Sequence, residues 1–68
     1  MSVAFFYIYR DRANEWRWYL QSTNGRKIAD SGEGYKNLPD CEHGIALVKQ
    51  ESPGAVTIGD DAYKIAKK

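Results

Sequence analysis

The stretch Glu15-Trp16-Arg17-Trp18-Tyr19-Leu20 alternates more strongly than any other part of the chain and carries both tryptophans. Residues two apart in a strand share a face, so Trp16, Trp18 and Leu20 point one way while Arg17, Tyr19 and Gln21 point the other. A helix would separate Trp18 from Trp16 and Leu20, and it would be built from poor helix formers. The stretch reads as a strand with one apolar and one amphipathic face.

Working outward, Val3 to Arg10 is dense in aromatic and branched residues and reads as the preceding strand, with Phe6 and Ile8 on one face and Phe5, Tyr7 and Tyr9 on the other. The polar run Asp11-Arg12-Ala13-Asn14-Glu15 between them has the length of a hairpin connection. Downstream, Asn24-Gly25 marks a second turn, for which two registers compete. A two-residue loop sets Leu20 opposite Ala29 and turns Ile28 to the polar face. A three-residue loop, type I with Gly25 left-handed as a G1 bulge, sets Leu20 opposite Ile28 and unites the large apolar residues, so it is preferred. The third strand then runs from about Lys27 to Ser31.

The glycine-punctuated loop Ser31-Gly32-Glu33-Gly34-Tyr35 carries the chain from sheet to helix. Asn37 is the expected helix cap, Asp40 supplies acid to the first turn, and Pro39 fits an early helical position. Leu38, Cys41, Ile45 and Val48 recur at three- and four-residue spacing and form one apolar stripe. Gly44 beside it costs about 1 kcal/mol relative to alanine, a loss that close approach of helix to sheet would offset. Pro53-Gly54 ends the helix. Ala55-Val56-Thr57-Ile58 reads as a short fourth strand, and Gly59-Asp60-Asp61 as a turn. Residues 59–68 then form a tail or an extra strand from Ala62 to Ile65.

The 68 residues suit one small domain. Folding such a chain buries about 6,800 Å², roughly 60% of it apolar. At about 25 cal/mol per Å² this contributes on the order of 100 kcal/mol, close to the cost of ordering the chain at about 1.5 kcal/mol per residue. Cys41 is alone and His43 is the only histidine, so neither an internal disulfide nor a structural zinc site can make up the balance. Self-association is the remaining common remedy. The net charge of +1, with both signs interspersed, lacks the basic stripe of a strong nucleic-acid binder. No stretch has the length of a membrane span or the pattern of a signal peptide, and with a lone cysteine the expected compartment is cytoplasmic.

In order and spacing, Phe6-Tyr7-Ile8-Tyr9, Glu15-Trp16-Arg17-Trp18, Asn24-Gly25, Ile28-Ala29, Ser31-Gly32-Glu33-Gly34-Tyr35, Cys41 and Gly44-Ile45 closely resemble the YegP-like family of small uncharacterised bacterial proteins. The resemblance runs from about Val3 to Ile58. It implies an α+β fold, a β-β-β-α-β unit occurring either twice in tandem or once and pairing as a homodimer. It brings no activity, cofactor or catalytic residue. Leu38 and Pro39, and the tail after Ile58, depart from the shared pattern.

Two surfaces are candidate sites. The sheet face away from the helix should gather Tyr7, Tyr9, Arg17, Tyr19, Gln21, Lys27 and Ala29. Its expected role is burial against a second subunit, or beneath that subunit's strands and tail. The lesser alternative is weak binding of single-stranded nucleic acid or a nucleotide on the tyrosine rings, with Arg17 and Lys27 assisting. The loop residues Ser31, Gly32 and Gly34 could present amides to an anion, although Glu33 opposes it and no phosphate-loop lysine follows; a structural turn is the expected role. Cys41 and His43 lie about 200° apart around a helix and cannot act as nucleophile and base. Asp30, Glu33 and Asp40 are not expected to form a buried acid pair. No catalytic residue, metal or cofactor is expected, and the chain reads as a homodimeric, non-enzymatic interaction module.

Overall fold

The computed structural model describes residues 3–67; Lys68, the last residue of the expected tail, lies outside them. Strands β1 (Phe5–Arg10), β2 (Trp16–Gln21) and β3 (Lys27–Asp30) form an antiparallel sheet in the order β1-β2-β3. In β1 and β2, Phe6 faces Leu20, Ile8 faces Trp18 and Tyr9 faces Arg17, so the two-residue period places the apolar residues on one side as read from the sequence.

Both hairpins turn by the same device. The Asn14 amide donates to the Asp11 carbonyl (3.0 Å) and the Asp11 amide to the Glu15 carbonyl (2.9 Å), with Asn14 at φ 64°. The Gly25 amide likewise donates to the Ser22 carbonyl (3.0 Å) and the Ser22 amide to the Arg26 carbonyl (2.8 Å), with Gly25 at φ 85°. Each loop needs a left-handed residue at its end, and asparagine and glycine are the types that reach that region most easily. The second turn is the three-residue loop expected, and Gln21 pairs with Lys27 accordingly.

The register beyond that pair differs from the preferred reading. A bulge between Leu20 and Gln21 shifts the pairing, so that Leu20 faces Ala29 and Tyr19 faces Asp30. Ile28 has no partner across the strand and turns outward, 61% exposed. Ala29, expected among the tyrosines, shares the helix side with Leu20, and Asp30 takes a place on the tyrosine side. The bulge spends one residue to let the Ser31 amide reach the Trp18 carbonyl (2.9 Å) and to bring Tyr35 back beside Trp16. There the two residues exchange backbone hydrogen bonds of 2.7 and 2.8 Å.

Helix α1 (Leu38–Glu51) carries Pro39 in its first turn and packs chiefly on β2. Asn37 occupies the cap position, but its side chain caps nothing; its amide nitrogen donates to Asp40 at 3.4 Å instead. A 3-10 turn, Ser52–Gly54, closes the helix end around Pro53. The core is Trp18, Cys41 and Ile45, ringed by Phe6, Ile8, Trp16, Leu20, Tyr35 and Val48.

The expected fourth strand does not form among the described residues. Residues 55–60 belong to no helix or strand, and Val56 and Ile58 are 82% and 85% exposed, so neither joins the core. Nor is there a fifth strand. Residues Asp61–Ala66 form a short helix, α2, because Asp60 caps it: the Tyr63 amide donates to its side chain at 3.2 Å.

Gly44 supplies the close approach its cost requires. A Cβ there would stand 2.8 Å from the Tyr35 hydroxyl oxygen and 3.6 Å from Trp18 Nε1. Gly44→Ala should therefore destabilise the fold by roughly 1 kcal/mol net, overpacking outweighing the gain in helix propensity. The loss should shrink in a Tyr35→Phe background; urea titrations of the double-mutant cycle check this, and an equal loss in both backgrounds would refute it.

Candidate functional site

The strand period sets Tyr7 and Tyr9 on β1 beside Tyr19 and Arg17 on β2, with Lys27 of β3 next in line. The rings approach one another closely. Tyr7 and Tyr19 lie 5.1 Å apart between centroids at an interplanar angle of 28°, and Tyr7 and Tyr9 lie 6.4 Å apart at 26°. Tyr9 and Tyr19 are 6.1 Å apart and more tilted, at 49°. Lys27 Nζ stands 4.8 Å from the Tyr19 ring centroid, within the range where an ammonium is attracted to the aromatic face. Tyr7 is 51% exposed, whereas Tyr9 and Tyr19 are half-buried through their mutual packing. The five residues singled out from the sequence are thus brought together on one face, and Asp30, opposite Tyr19, joins them because of the bulge.

Arg17 is not a free cation. Its Nε donates to Asp11 Oδ2 at 2.5 Å, while Asp11 Oδ1 accepts from the amides of Ala13 (2.9 Å) and Glu15 (3.0 Å). One carboxylate thereby ties the first hairpin loop to β2. The Arg17 guanidinium, followed by the loop amides, lowers the Asp11 pKa below its ordinary range, and the same pair raises that of Arg17. Lys27 is left as the cation available on this face.

Several donors of the glycine loop are used within the chain. Gly32, at φ 72°, gives its amide to Asp30 Oδ1 (3.0 Å), Ser31 gives its hydroxyl to the Glu33 carbonyl (2.9 Å), and the Tyr35 amide goes to Trp16. Of the loop residues Ser31, Gly32 and Gly34, the first two are thereby engaged in the turn. Cys41 is fully buried and burial raises its thiol pKa, whereas His43 is exposed, so the two stay apart. Among the described residues no group of three or more His, Cys, Asp or Glu is placed to hold a metal ion, and no helix is long and apolar enough to cross a membrane.

These features define the molecule as a small α+β unit, a three-stranded antiparallel sheet sheltered on one face by one helix, with an open aromatic face behind it. Residues 11–58 match the family model described as Domain of unknown function (DUF1508), and the chain belongs to that family. The chain is 42% identical over 45 residues to a UPF0339 protein of Neisseria meningitidis serogroup B, covering 66% of this chain and 79% of that one. It is 38% identical over 53 residues to a UPF0339 protein of Treponema denticola, covering 78% and 90%. A UPF0339 protein from a ptx operon 5' region of Stutzerimonas stutzeri is 44% identical over 48 residues, which are 71% of this chain but 42% of that one. The solution structure of a protein from Haloferax volcanii has the same fold, with a TM-score of 0.79 at 40% identity, covering 88% of this chain and all of that one. The YegP-like resemblance is thereby borne out for the family and, in the fold, for the three-stranded antiparallel sheet and its helix.

The Asp11 pair makes stability pH-dependent with a definite sign. A carboxylate whose native pKa is depressed stabilises the fold above its unfolded value, near 3.8, and that contribution is lost as pH falls through the lower native value. Asp11→Asn should therefore lower the urea midpoint at pH 7, and the gap from the parent should close progressively below about pH 4. A gap that stays constant down to pH 2 would refute the assignment.

Proposed function

We propose that this chain is a non-enzymatic interaction module that works as a homodimer. The observation that carries the reading is the pair Val56 and Ile58, two branched side chains more than four-fifths exposed on a segment that joins no helix or strand. Fully burying such side chains is worth about 1.5–3 kcal/mol each. An extended segment and an unpaired sheet edge complete each other by strand addition. The sheet has two such edges, β1 and β3, of which β1 is the longer. The helix also ends on that side, since Lys49 Nζ stands 5.6 Å from the Phe6 ring centroid. Residues 55–58 are thus released where they can lie against the β1 edge of a second copy, which would give each subunit the fourth strand it lacks. The longer Stutzerimonas relative, of which this chain matches 42%, fits the same logic, as it has room for a second unit within one chain.

Sedimentation at micromolar concentration should then give twice the chain mass. Val56→Ser with Ile58→Ser should weaken association by about three orders of magnitude or more, because four buried side chains are lost per dimer. A parent chain that sediments as a stable folded monomer would overturn the reading.

A second reading is favoured by the ring geometry: weak binding of single-stranded nucleic acid or a nucleotide through Tyr7, Tyr9, Tyr19 and Lys27, beside an Arg17 that Asp11 already holds. Near-parallel rings with a lysine over one of them suit base stacking beside a phosphate. An edge-to-edge dimer would leave this face uncovered. Adding a six-base oligonucleotide at low salt should shift the amide resonances of β1 and β2 on this face, and Lys27→Gln should flatten the salt dependence. Unmoved resonances would dispose of this reading.

A further inference from the structure

We infer that α2 is a clamp that seats on the same second copy that receives Val56 and Ile58, an inference that rests on the homodimer reading above. Three observations argue that residues 59–66 form a built elbow. Asp60 caps α2, accepting the Tyr63 amide on its side chain while the Lys64 amide donates to its carbonyl at 3.1 Å. Tyr63 folds back over Gly59 so closely that a Cβ on Gly59 would lie 2.6 Å from the Tyr63 Cβ and ring. The glycine is therefore needed for space, to let the tyrosine lock the bend. Beyond the lock, Ala62, Ile65 and Ala66 share one side of the helix at three- and four-residue spacing, and Ile65 is 71% exposed.

A helix of six residues is too short to persist in water on propensity alone, and helices gain most of their stability by packing an apolar face. In the isolated subunit that face is bare: every residue from 51 to 67 is exposed. The length of chain selects the occupant. Only Gly59 and Asp60 separate Ile58 from Asp61 at the start of α2, three steps along the chain and a reach of about 10 Å even if fully extended. Whichever surface takes Ile58 as part of an added strand therefore also lies beside α2. A strand added at the edge of a second copy delivers Ile65 to that copy's surface. The family match covers residues 11–58, so α2 lies outside the matched range.

The test uses the full-length chain in a mixed dimer, one copy carrying labelled isoleucine methyl groups and the other unlabelled, with dissociation constants from sedimentation. Intermolecular contacts from the Ile65 methyl group are expected, with dissociation at least about tenfold easier in Ile65→Ser. Gly59→Ala should weaken association in the same direction by opening the elbow, without altering the circular dichroism of the sheet. A dimer whose Ile65 methyl contacts only its own copy, or whose affinity is unchanged in Ile65→Ser, would overturn the clamp while leaving the homodimer standing. A monomeric parent chain would remove both.

Discussion

Everything in this fold is arranged so that the indole of Trp18 can lie beneath one helix. It is the central residue of the central strand, 6% exposed, and it meets Cys41 and Ile45 from above and Phe6 edge-on at 5.4 Å with a 74° tilt. A side chain that wide forces the helix either to stand off or to thin itself at the crossing. The chain thins itself, placing glycine at 44 and a fully buried cysteine at 41. The cost appears in the Trp18 Nε1 proton, which is buried with no acceptor among the described residues. That unpaired donor weakens a fold whose buried core is Trp18, Cys41 and Ile45.

Such a core explains why the two sides of the sheet have different fates. One helix packs on β2 and shelters the side of Trp18, while β3 stays exposed along its length. The opposite side has no layer of its own, and its tyrosines lower their exposure by packing on one another with Lys27 over the last ring. Tyrosine suits such a place, since its ring is apolar and its hydroxyl remains wet. The salt bridge from Arg17 to Asp11 then serves the hairpin more than the face, because both partners are already engaged.

How far the sequence could be read follows from where its signals are local. The period-two alternation around Trp16 and Trp18, the loop ending in Gly25, and the stripe Leu38-Cys41-Ile45-Val48 are decided by neighbours within a few residues, and all are present. The bulge at Ile28 was not legible, because it answers a demand from elsewhere: Tyr35 must return beside Trp16 across a loop whose length the strand pattern does not reveal. Uniting large apolar residues was the wrong criterion there, since β3 lies beyond the cover of the helix. Asn37 shows the same limit in miniature. A cap residue was correctly placed, but its amide nitrogen found Asp40 first. The tyrosine cluster was legible apart from its exchange of Ala29 for Asp30, which the bulge alone accounts for.

The segment after the helix is the instructive disagreement. Val56 and Ile58 carry the alternation of a half-buried strand, and in the single subunit they have nothing to be buried against. A pattern that specifies burial and a subunit that leaves it unmet are reconciled when the surface specified belongs to another molecule. The strand pattern at residues 55–58 and the empty β1 edge are then two halves of one statement in the sequence. The small core around Trp18 and the unspent apolar surface of the final residues belong to the same economy, and the homodimer proposed above is the arrangement that would answer both.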